Sequence, residues 1–284
     1  ATVAKMKYGS KPVDDGNLLL NEEEATSLRH TYPELRPYIR QFVGADELLY
    51  SVKRYCLWLK DAGPAVLKLP LVRQRLSAVN EFRAQSLKAP TRDAAAIPAL
   101  FCEDRQPAGK YLGVPEVSGE TRKYLPVGYL DGQVIASNKL YTVEGASLYE
   151  FGIVSSKMHF AWMAQTSGRL ESRFQYSASL TYNTFPWPDP SETQRQKIEA
   201  AAQAVLDARA QFPGATLADL YDPLTMPPAL VRAHQKLDAA VDAAYGKKNF
   251  RNDAERVAFL FDLYQKYTSL LPGAAKPKRV RKSR

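Results

Sequence analysis

The sequence contains few of the residues that build disulfide frameworks and zinc sites. Its 284 residues include only two cysteines and three histidines. Cys56 and Cys102 each lie among apolar neighbours, which favours buried thiols in a reducing compartment over a disulfide. The histidines are scattered along the chain, so surface or core positions explain them better than a metal site. No serine, cysteine or aspartate has a nearby partner that would indicate a catalytic triad.

Long apolar runs are absent as well. No segment approaches the roughly 20 apolar residues that span a bilayer. The opening ATVAKMKYGS also lacks the apolar core of a signal peptide. We therefore expect no membrane partner and a cytoplasmic location. The first residue is not methionine, which indicates either a segment cut from the middle of a longer polypeptide or a trimmed purification scar.

The sequence also lacks the two loops that an S-adenosylmethionine-dependent DNA aminomethylase needs. One is a glycine-rich turn that follows a strand and holds the cofactor, and the other is an Asp/Asn-Pro-Pro-aromatic loop that holds the flipped adenine. The prolines of NTFPWP are separated by Trp187, and Pro227-Pro228 is flanked by Met226 and Ala229. No nuclease pattern of aspartate followed by Glu-x-Lys stands out. We therefore expect neither a catalytic centre nor a bound cofactor in this chain.

Positive charge is concentrated at the C-terminus. The net charge is +9, and the last ten residues, AKPKRVRKSR, contain six basic and no acidic side chains. This composition predicts a disordered basic tail over residues 273–284. Such a tail either adds non-specific affinity for phosphates or is simply a solvated terminus. The rest of the chain is nearly balanced in charge, so the net charge alone does not establish DNA binding.

The first part of the chain has a mixed periodicity. Short aromatic and β-branched runs such as RYCLWL, ALFCED and QVIASNKLYTV are separated by turn residues and predict strands. Two helices are predicted between them, from Pro64 to about Gln85 and from Ser147 to about Thr166. The second begins with a capping box, because Glu150 follows Ser147 by three residues. These features predict a mixed α+β domain over residues 10–189.

The proline-rich run FPWPDP at residues 185–190 ends this region, because neither a helix nor a central strand tolerates three prolines in six residues. The sequence beyond it is rich in alanine and has helical periodicity. Helices are predicted after Ser191, after Pro227-Pro228 and from near Asn252. Together they predict a small all-α bundle over residues 190–272.

Several blocks of the sequence are too specific to follow from general composition. They are YGSKPVDDGNLLL, RYCLWL, RQP, VPEVSGETRKYLPVGYLD, IASNKLY, SSKMHFAWM, SGRLESRFQYS, YNTFPWP and LYDPLTMPPAL. In this order they resemble the MmeI family, and the similarity runs from about residue 8 to about residue 271. The family consists of single-chain restriction-modification enzymes of the type IIL or IIG class and related solitary DNA adenine methyltransferases.

This resemblance implies a bacterial cytoplasmic enzyme that methylates adenine N6 within a short asymmetric site. The cofactor of the whole enzyme would be S-adenosylmethionine, with Mg²⁺ if a nuclease is present. In the family, the matching segment follows the methyltransferase domain of the same polypeptide. Residues 1–9 would then be a linker, residues 10–189 the target recognition domain for double-stranded DNA, and residues 190–272 the C-terminal helical domain. The resemblance does not identify the sequence that is recognised.

The segment from residue 169 to residue 175 has hydrogen-bonding side chains at every second position. Such groups match base edges in the major groove, because arginine pairs with guanine, glutamine with adenine and a carboxylate with the cytosine amino group. An extended segment would project to one side Arg169, Glu171, Arg173 and Gln175. The residues available to anchor its backbone would be Leu170, Phe174 and Tyr176. Taken alone, the pattern is better explained by a solvated face.

The resemblance reverses that preference. Recognition positions of the MmeI family fall in three blocks, which implies base contacts by Glu116, Asn138, Lys139, Glu171, Ser172, Arg173 and Gln175. Candidate phosphate contacts, none of them distinguished from an ordinary surface cation, are Arg40, Lys53, Arg54, Arg92, Lys123, Lys157 and Arg169. The leading hypothesis is a DNA recognition module. The alternative is a protein-interaction module that docks a methyltransferase or nuclease domain without reading bases.

Overall fold

The computed structural model describes residues 3–247 and 250–269. Within them the strands are β1 Met6–Tyr8, β2 Leu19–Asn21, β3 Ile39–Val43, β4 Arg54–Leu57, β5 Tyr111–Pro115, β6 Val117–Ser118, β7 Gly128–Leu130, β8 Ile135–Ala136, β9 Leu140–Glu144, β10 Gly168–Leu170 and β11 Arg173–Gln175. The helices are α1 Glu22–Thr31, α2 Ala45–Tyr50, α3 Pro64–Leu67, α4 Pro70–Ala84, α5 Ala89–Asp93, α6 Leu148–Val154, α7 Lys157–Thr166, α8 Glu192–Ala210, α9 Leu217–Leu220, α10 Pro228–Ala244 and α11 Asp253–Ser269. None of these helices is long and apolar enough to cross a bilayer. The basic tail predicted for residues 273–284 lies outside the described residues.

Within residues 3–247 and 250–269, the strands form three small sheets. The first has the order β1-β9-β5-β7 and is antiparallel throughout. The second has the order β2-β4-β3-β8, in which only β3 and β8 run parallel. The third and smallest is antiparallel, with the order β10-β11-β6. With helices packed between and around the sheets, the predicted α+β class is confirmed.

A buried arginine organises the core around the second sheet. Arg83 lies on α4 and is completely buried. Its guanidinium donates at 2.8 to 3.3 Å to the backbone carbonyls of Pro12, Val13, Ala94, Ile97 and Leu100. Burial lowers the pKa of Arg83 from its ordinary value. Among the described residues, Arg83 is the one donor to the Val13 and Leu100 carbonyls, and it is a second donor to the other three.

Both helices predicted in the first part of the chain are interrupted. Ser147 and Glu150 form the predicted capping box at the start of α6. Two residues after α6 ends, however, Ser156 caps α7 by accepting from the backbone N–H of His159 at 3.4 Å. The helix predicted from Pro64 to about Gln85 is also divided in two. Pro70 occupies the first turn of α4 and separates it from α3. Each break lets a short helix take its own direction against the core.

The C-terminal helices share a core with the region before them. Helices α8 and α10 pack against each other, α6 packs against α8, and α11 packs against α7. Gly152 of α6 permits this approach, since a Cβ there would lie 2.9 Å from Ile198 of α8 and 3.3 Å from Leu237 of α10. The predicted helical character of the C-terminal region is confirmed, and its hydrophobic core continues into α6 and α7.

The histidines and cysteines occupy the surface or core positions that the sequence favoured, except that Cys102 is not fully buried. His30 is exposed, whereas His159 is buried and lies 2.8 Å from the Tyr176 hydroxyl. Burial lowers the pKa of His159 to about 3, which keeps the ring neutral. Both thiols are free, but only Cys56 is fully buried and Cys102 is half-buried.

A buried carboxylate connects α10 to the region before it. Asp238 of α10 accepts hydrogen bonds from the Tyr124 hydroxyl and from the backbone N–H of Lys157, both at 2.8 Å. His234, one turn earlier on α10, stacks on the Tyr124 ring with 4.0 Å between centroids and lies 2.7 Å from the Tyr221 hydroxyl. Burial is the largest influence on Asp238 and raises its pKa to about 6.

Stability should therefore depend on pH through Asp238. The folded-state pKa of about 6 exceeds the ordinary value of 3.8, so folding favours the protonated carboxyl. Its stabilising contribution is fully present below pH 3.8 and is lost as the pH rises through 6. The free energy of unfolding of the natural chain, minus that of Asp238→Asn, should fall by about 2 kcal/mol between pH 4 and pH 7. Urea unfolding of both proteins across this range measures the difference, and a constant difference would contradict the assignment.

Candidate nucleic-acid interface

Glu116 lies at the centre of the candidate interface. It occupies the bend between β5 and β6 and is only 8% exposed. Its backbone N–H donates to the Lys139 carbonyl at 3.2 Å, and its own carbonyl accepts from the backbone N–H of Tyr176 at 2.8 Å. These two bonds join three segments that are distant in the sequence. The local backbone therefore determines which side chains surround Glu116.

The side chain of Glu116 contacts two other predicted recognition residues. Its Oε2 lies 3.1 Å from Lys139 Nζ, and its Oε1 accepts from Gln175 Nε2 at 3.4 Å. We refer to Glu116, Lys139 and Gln175 as the Glu116 cluster. The Lys139 side chain remains 64% exposed, so the cluster opens to solvent. Three residues chosen from separate blocks of the sequence thus lie together.

A tight turn holds Asn138 and Lys139 beside this cluster. Ser137 is buried, and its backbone N–H donates to the Val43 carbonyl at 2.8 Å. The Ser137 hydroxyl accepts from the Lys139 N–H at 3.1 Å, and the Ser137 carbonyl accepts from the Leu140 N–H at 2.9 Å. Asn138 is half-buried between them. The bonds of Ser137 fix where both neighbouring side chains emerge.

The segment from residue 168 to residue 175 is a hairpin rather than one extended stretch. In its register Gly168 lies opposite Gln175, and Leu170 lies opposite Arg173. Glu171 and Ser172 form the two-residue turn, with Glu171 in the left-handed region at φ 57°. The chain reverses at that point, so the alternation of side chains does not continue through it.

The prediction that alternate residues of this segment project to one side is therefore wrong for Arg169. Arg169 lies opposite Phe174, and its guanidinium carbon is 3.9 Å from the centroid of that ring. Leu170, predicted to be an anchor, is 43% exposed and shares a face with Arg173, because opposite residues of an antiparallel pair point the same way. The other two predicted anchors, Phe174 and Tyr176, are buried.

The hairpin tip presents a charged pair to solvent. Glu171 Oε2 lies 2.8 Å from Arg173 Nη2, and both side chains are largely exposed. Ser172, between them, is exposed as well. An exposed ion pair contributes at most about 1 kcal/mol, so either partner is easily recruited by another ligand. The tip is tied to the Glu116 cluster through β11, which ends at Gln175.

The candidate phosphate contacts have different surroundings. Three are paired with carboxylates: Lys53 with Glu22 at 2.8 Å, Arg54 with Glu47 at 2.8 Å, and Lys157 with Asp253 at 3.5 Å. Two donate to backbone carbonyls, Arg40 to Pro37 at 3.0 Å and Arg92 to Ser86 at 2.9 Å. Lys123 is exposed, and Arg169 lies on the hairpin. These geometries do not distinguish phosphate contacts from ordinary surface cations, and the assignments stay predictions.

Two known proteins are similar to this chain. DNA methyltransferase A of Bacillus subtilis strain 168 is 40% identical over 265 residues, which is 93% of this chain and 30% of that protein. The solved structure of the type IIL restriction-modification enzyme MmeI in complex with DNA is 48% identical and superimposes with a TM-score of 0.92. That match covers 95% of this chain and 36% of the MmeI chain. The chain thus spans about a third of the length of these relatives.

Family models also match in succession along the chain. Residues 1–189 match the target recognition domain of MmeI, and residues 190–272 match the MmeI C-terminal domain. The Glu116 cluster and the hairpin both fall within the first of these matches. The chain therefore belongs to the MmeI family and consists of its target recognition domain followed by its C-terminal domain.

Proposed function

We propose that this chain reads a short base sequence in double-stranded DNA on behalf of an adenine-N6 methyltransferase. The observation that supports this best is the convergence of Glu116, Lys139 and Gln175 from three separate parts of the chain. Together with the hairpin tip they offer cationic donors, an amide and carboxylates on one surface. The base edges of the major groove require that combination of donors and acceptors. The DNA bound to MmeI in its solved structure is consistent with this use of the fold.

The methyl transfer itself would belong to the rest of the protein. S-adenosylmethionine would supply the methyl group from a methyltransferase domain upstream in the same polypeptide, and Mg²⁺ would serve a nuclease where one is present. This sequence contains neither the glycine-rich turn nor the Pro-Pro-aromatic loop. We accordingly assign none of its residues to either cofactor, and the role of this chain is to position DNA.

The direct test is selection from a pool of randomised DNA duplexes by the 284-residue chain. Bound duplexes would be recovered at low salt, sequenced, and compared with those retained at higher salt. A sequence reader enriches one short motif, and its affinity falls with salt because phosphate contacts release counterions. Salt-independent binding, or enrichment without a motif, would contradict the proposal and favour the alternative in which the helices dock a protein domain.

Reversing the charges of the hairpin tip should change the preference at one base pair. A carboxylate accepts from the cytosine amino group, whereas a guanidinium donates to the paired guanine. The double variant Glu171→Lys, Arg173→Asp keeps an exposed ion pair, so its stability should stay within about 0.5 kcal/mol of the natural chain. The selected motif should move from C·G toward G·C at one position, by roughly 5- to 150-fold in preference.

A matched control is available in the exposed pair Lys60 and Asp104, which lie 2.6 Å apart. Reversing that pair should leave the motif unchanged at every position. If reversal at Glu171 and Arg173 also left the motif unchanged, the tip would be a solvated turn. A uniform loss of binding together with a lower melting temperature would instead indicate a structural role.

A further inference from the structure

A polar cleft lies beside the β10–β11 hairpin. It is lined by residues of the target recognition domain, residues 1–189, and of the C-terminal domain, residues 190–272. Its walls come from α2, from the loop that follows β6, from β11, and from α9 with the residues after it. The charged side chains that line it are Asp46, Arg122, Arg173 and Asp222. We call it the Arg122 cleft. Arg173 lines the cleft and also belongs to the hairpin tip. The cleft therefore extends the surface formed by the Glu116 cluster and the hairpin tip toward the C-terminal domain.

Arg122 is the guanidinium in this cleft that has no carboxylate partner among the described residues. Its Nη1 lies 3.5 Å from the Ser118 hydroxyl, which is a weak hydrogen bond at best. Within the part of the chain that the structure describes, no carboxylate pairs with it, whereas Arg173 pairs with Glu171 and Lys139 with Glu116. A guanidinium carries five N–H donors in a rigid planar fork. Arg122 can therefore engage a ligand without first giving up an ion pair.

The position of Arg122 depends on the third sheet, which has the strand order β10-β11-β6. Ser118 is the last residue of β6 and lies opposite Phe174 of β11. The loop that follows this strand is held in a turn, since the Arg122 backbone N–H donates to the Gly119 carbonyl at 3.4 Å. Arg122 thus extends from the edge of the sheet that also holds Arg173. Side chains placed in this way approach the same ligand from neighbouring positions.

The acidic residues of the cleft favour a base edge over a phosphate as that ligand. Asp46 and Asp222 line the same space as Arg122, and carboxylates repel a phosphate. One oxygen of Asp222 is oriented by the Leu224 N–H at 2.8 Å. Base edges present amino donors as well as carbonyl and ring-nitrogen acceptors, so a lining of both signs suits them.

We propose that Arg122 is a further specificity-determining residue, which donates through its guanidinium to a guanine edge in the target duplex. This inference rests on the proposed function of the chain as a DNA reader. It adds a position that none of the three recognition blocks contains. It also implies that α9 and the residues after it, which line the cleft, lie beside the bound duplex.

The test is selection from randomised duplexes by the full chain and by its variants Arg122→Ala and Arg122→Lys. Arg122→Ala should lose preference for guanine at one position by roughly 5- to 150-fold. Arg122→Lys should lose less, because lysine can still donate to a guanine edge but lacks the planar fork. The other positions of the motif should not change. Arg73→Ala is the matched control, since Arg73 is exposed on α4, a helix that does not line the cleft. Equal melting temperatures would confirm that the variants fold.

Each other outcome has a definite meaning. If Arg122→Ala selects the same motif as the natural chain, the inference is wrong while the proposed function stands. If Arg122→Ala weakens binding to all sequences and Arg122→Lys restores it, Arg122 contacts a phosphate and the inference is also wrong. If the natural chain selects no motif at all, the proposed function fails and this inference fails with it.

Discussion

Replacing Arg83 with alanine should lower the free energy of unfolding by about 4 kcal/mol. The side chain is fully buried and donates to five backbone carbonyls from two segments, residues 12–13 and residues 94–100. Its removal leaves the Val13 and Leu100 carbonyls without a donor among the described residues, in a space too enclosed for full hydration. The other three carbonyls lose a second donor, and a cavity opens besides. Urea denaturation followed by circular dichroism would measure the loss.

Two further variants separate hydrogen bonding from volume. Arg83→Met fills much of the space but donates nothing, so its loss should be close to that of Arg83→Ala. Arg83→Lys should recover part of the stability, because an ammonium group has three donors and cannot reach all five carbonyls. Arg73→Ala, at an exposed position of the same helix, should change stability by less than about 0.5 kcal/mol. A loss below about 1 kcal/mol for Arg83→Ala would show that water replaces the guanidinium.

Arg83 also illustrates a limit of periodicity. Helical periodicity places Phe82 on the apolar face of the helix predicted from Pro64 to about Gln85, yet Phe82 is 42% exposed and Arg83 is buried. Hydrophobic patterning assigns an arginine to solvent by default. Arg83 is buried because carbonyls in distant segments accept its hydrogen bonds. The periodicity of a single helix carries no information about those segments.

The run ALFCED shows the same limit for strands. Its composition predicted a strand, but residues 99–104 form none. Phe101 packs edge-on against Trp58 at 4.9 Å and Phe42 at 5.8 Å between centroids. The carbonyl of Leu100 bonds to Arg83 instead of a neighbouring strand. An apolar segment can thus enter the core as a loop where a side chain supplies the missing donor.

At the candidate interface, the sequence predicted a set of recognition residues but not their arrangement. The family resemblance picked out Glu116, Lys139 and Gln175, which the structure brings together. The reversal at Glu171 and Ser172 was missed because that pair is not among the usual Asn-Gly or Asp-Gly turns. Arg122 was missed because nothing near it in the sequence distinguishes it from an ordinary surface arginine. Its significance depends on which elements meet in the cleft.

Glu116→Ala should remove the preference for about two base pairs at once, with a combined loss of about 30-fold or more. The carboxylate accepts from Lys139 Nζ and Gln175 Nε2, so both donors lose the group that orients them. Glu116→Gln should lose less, because an amide oxygen can still accept from one donor while its NH₂ group faces the other. Duplex selection and titration with the selected motif measure both effects.

The same variants separate a recognition defect from a folding defect. Loss of a negative charge beside DNA leaves phosphate binding unchanged or slightly stronger, so affinity for a duplex without the motif should not fall in Glu116→Ala. An unfolded chain would lose both kinds of binding together. Retention of the full motif by Glu116→Ala would show that Lys139 and Gln175 find their positions without the carboxylate. Since Glu116 is 8% exposed and its two oxygens contact two different blocks, we expect the motif to disappear while non-specific binding remains.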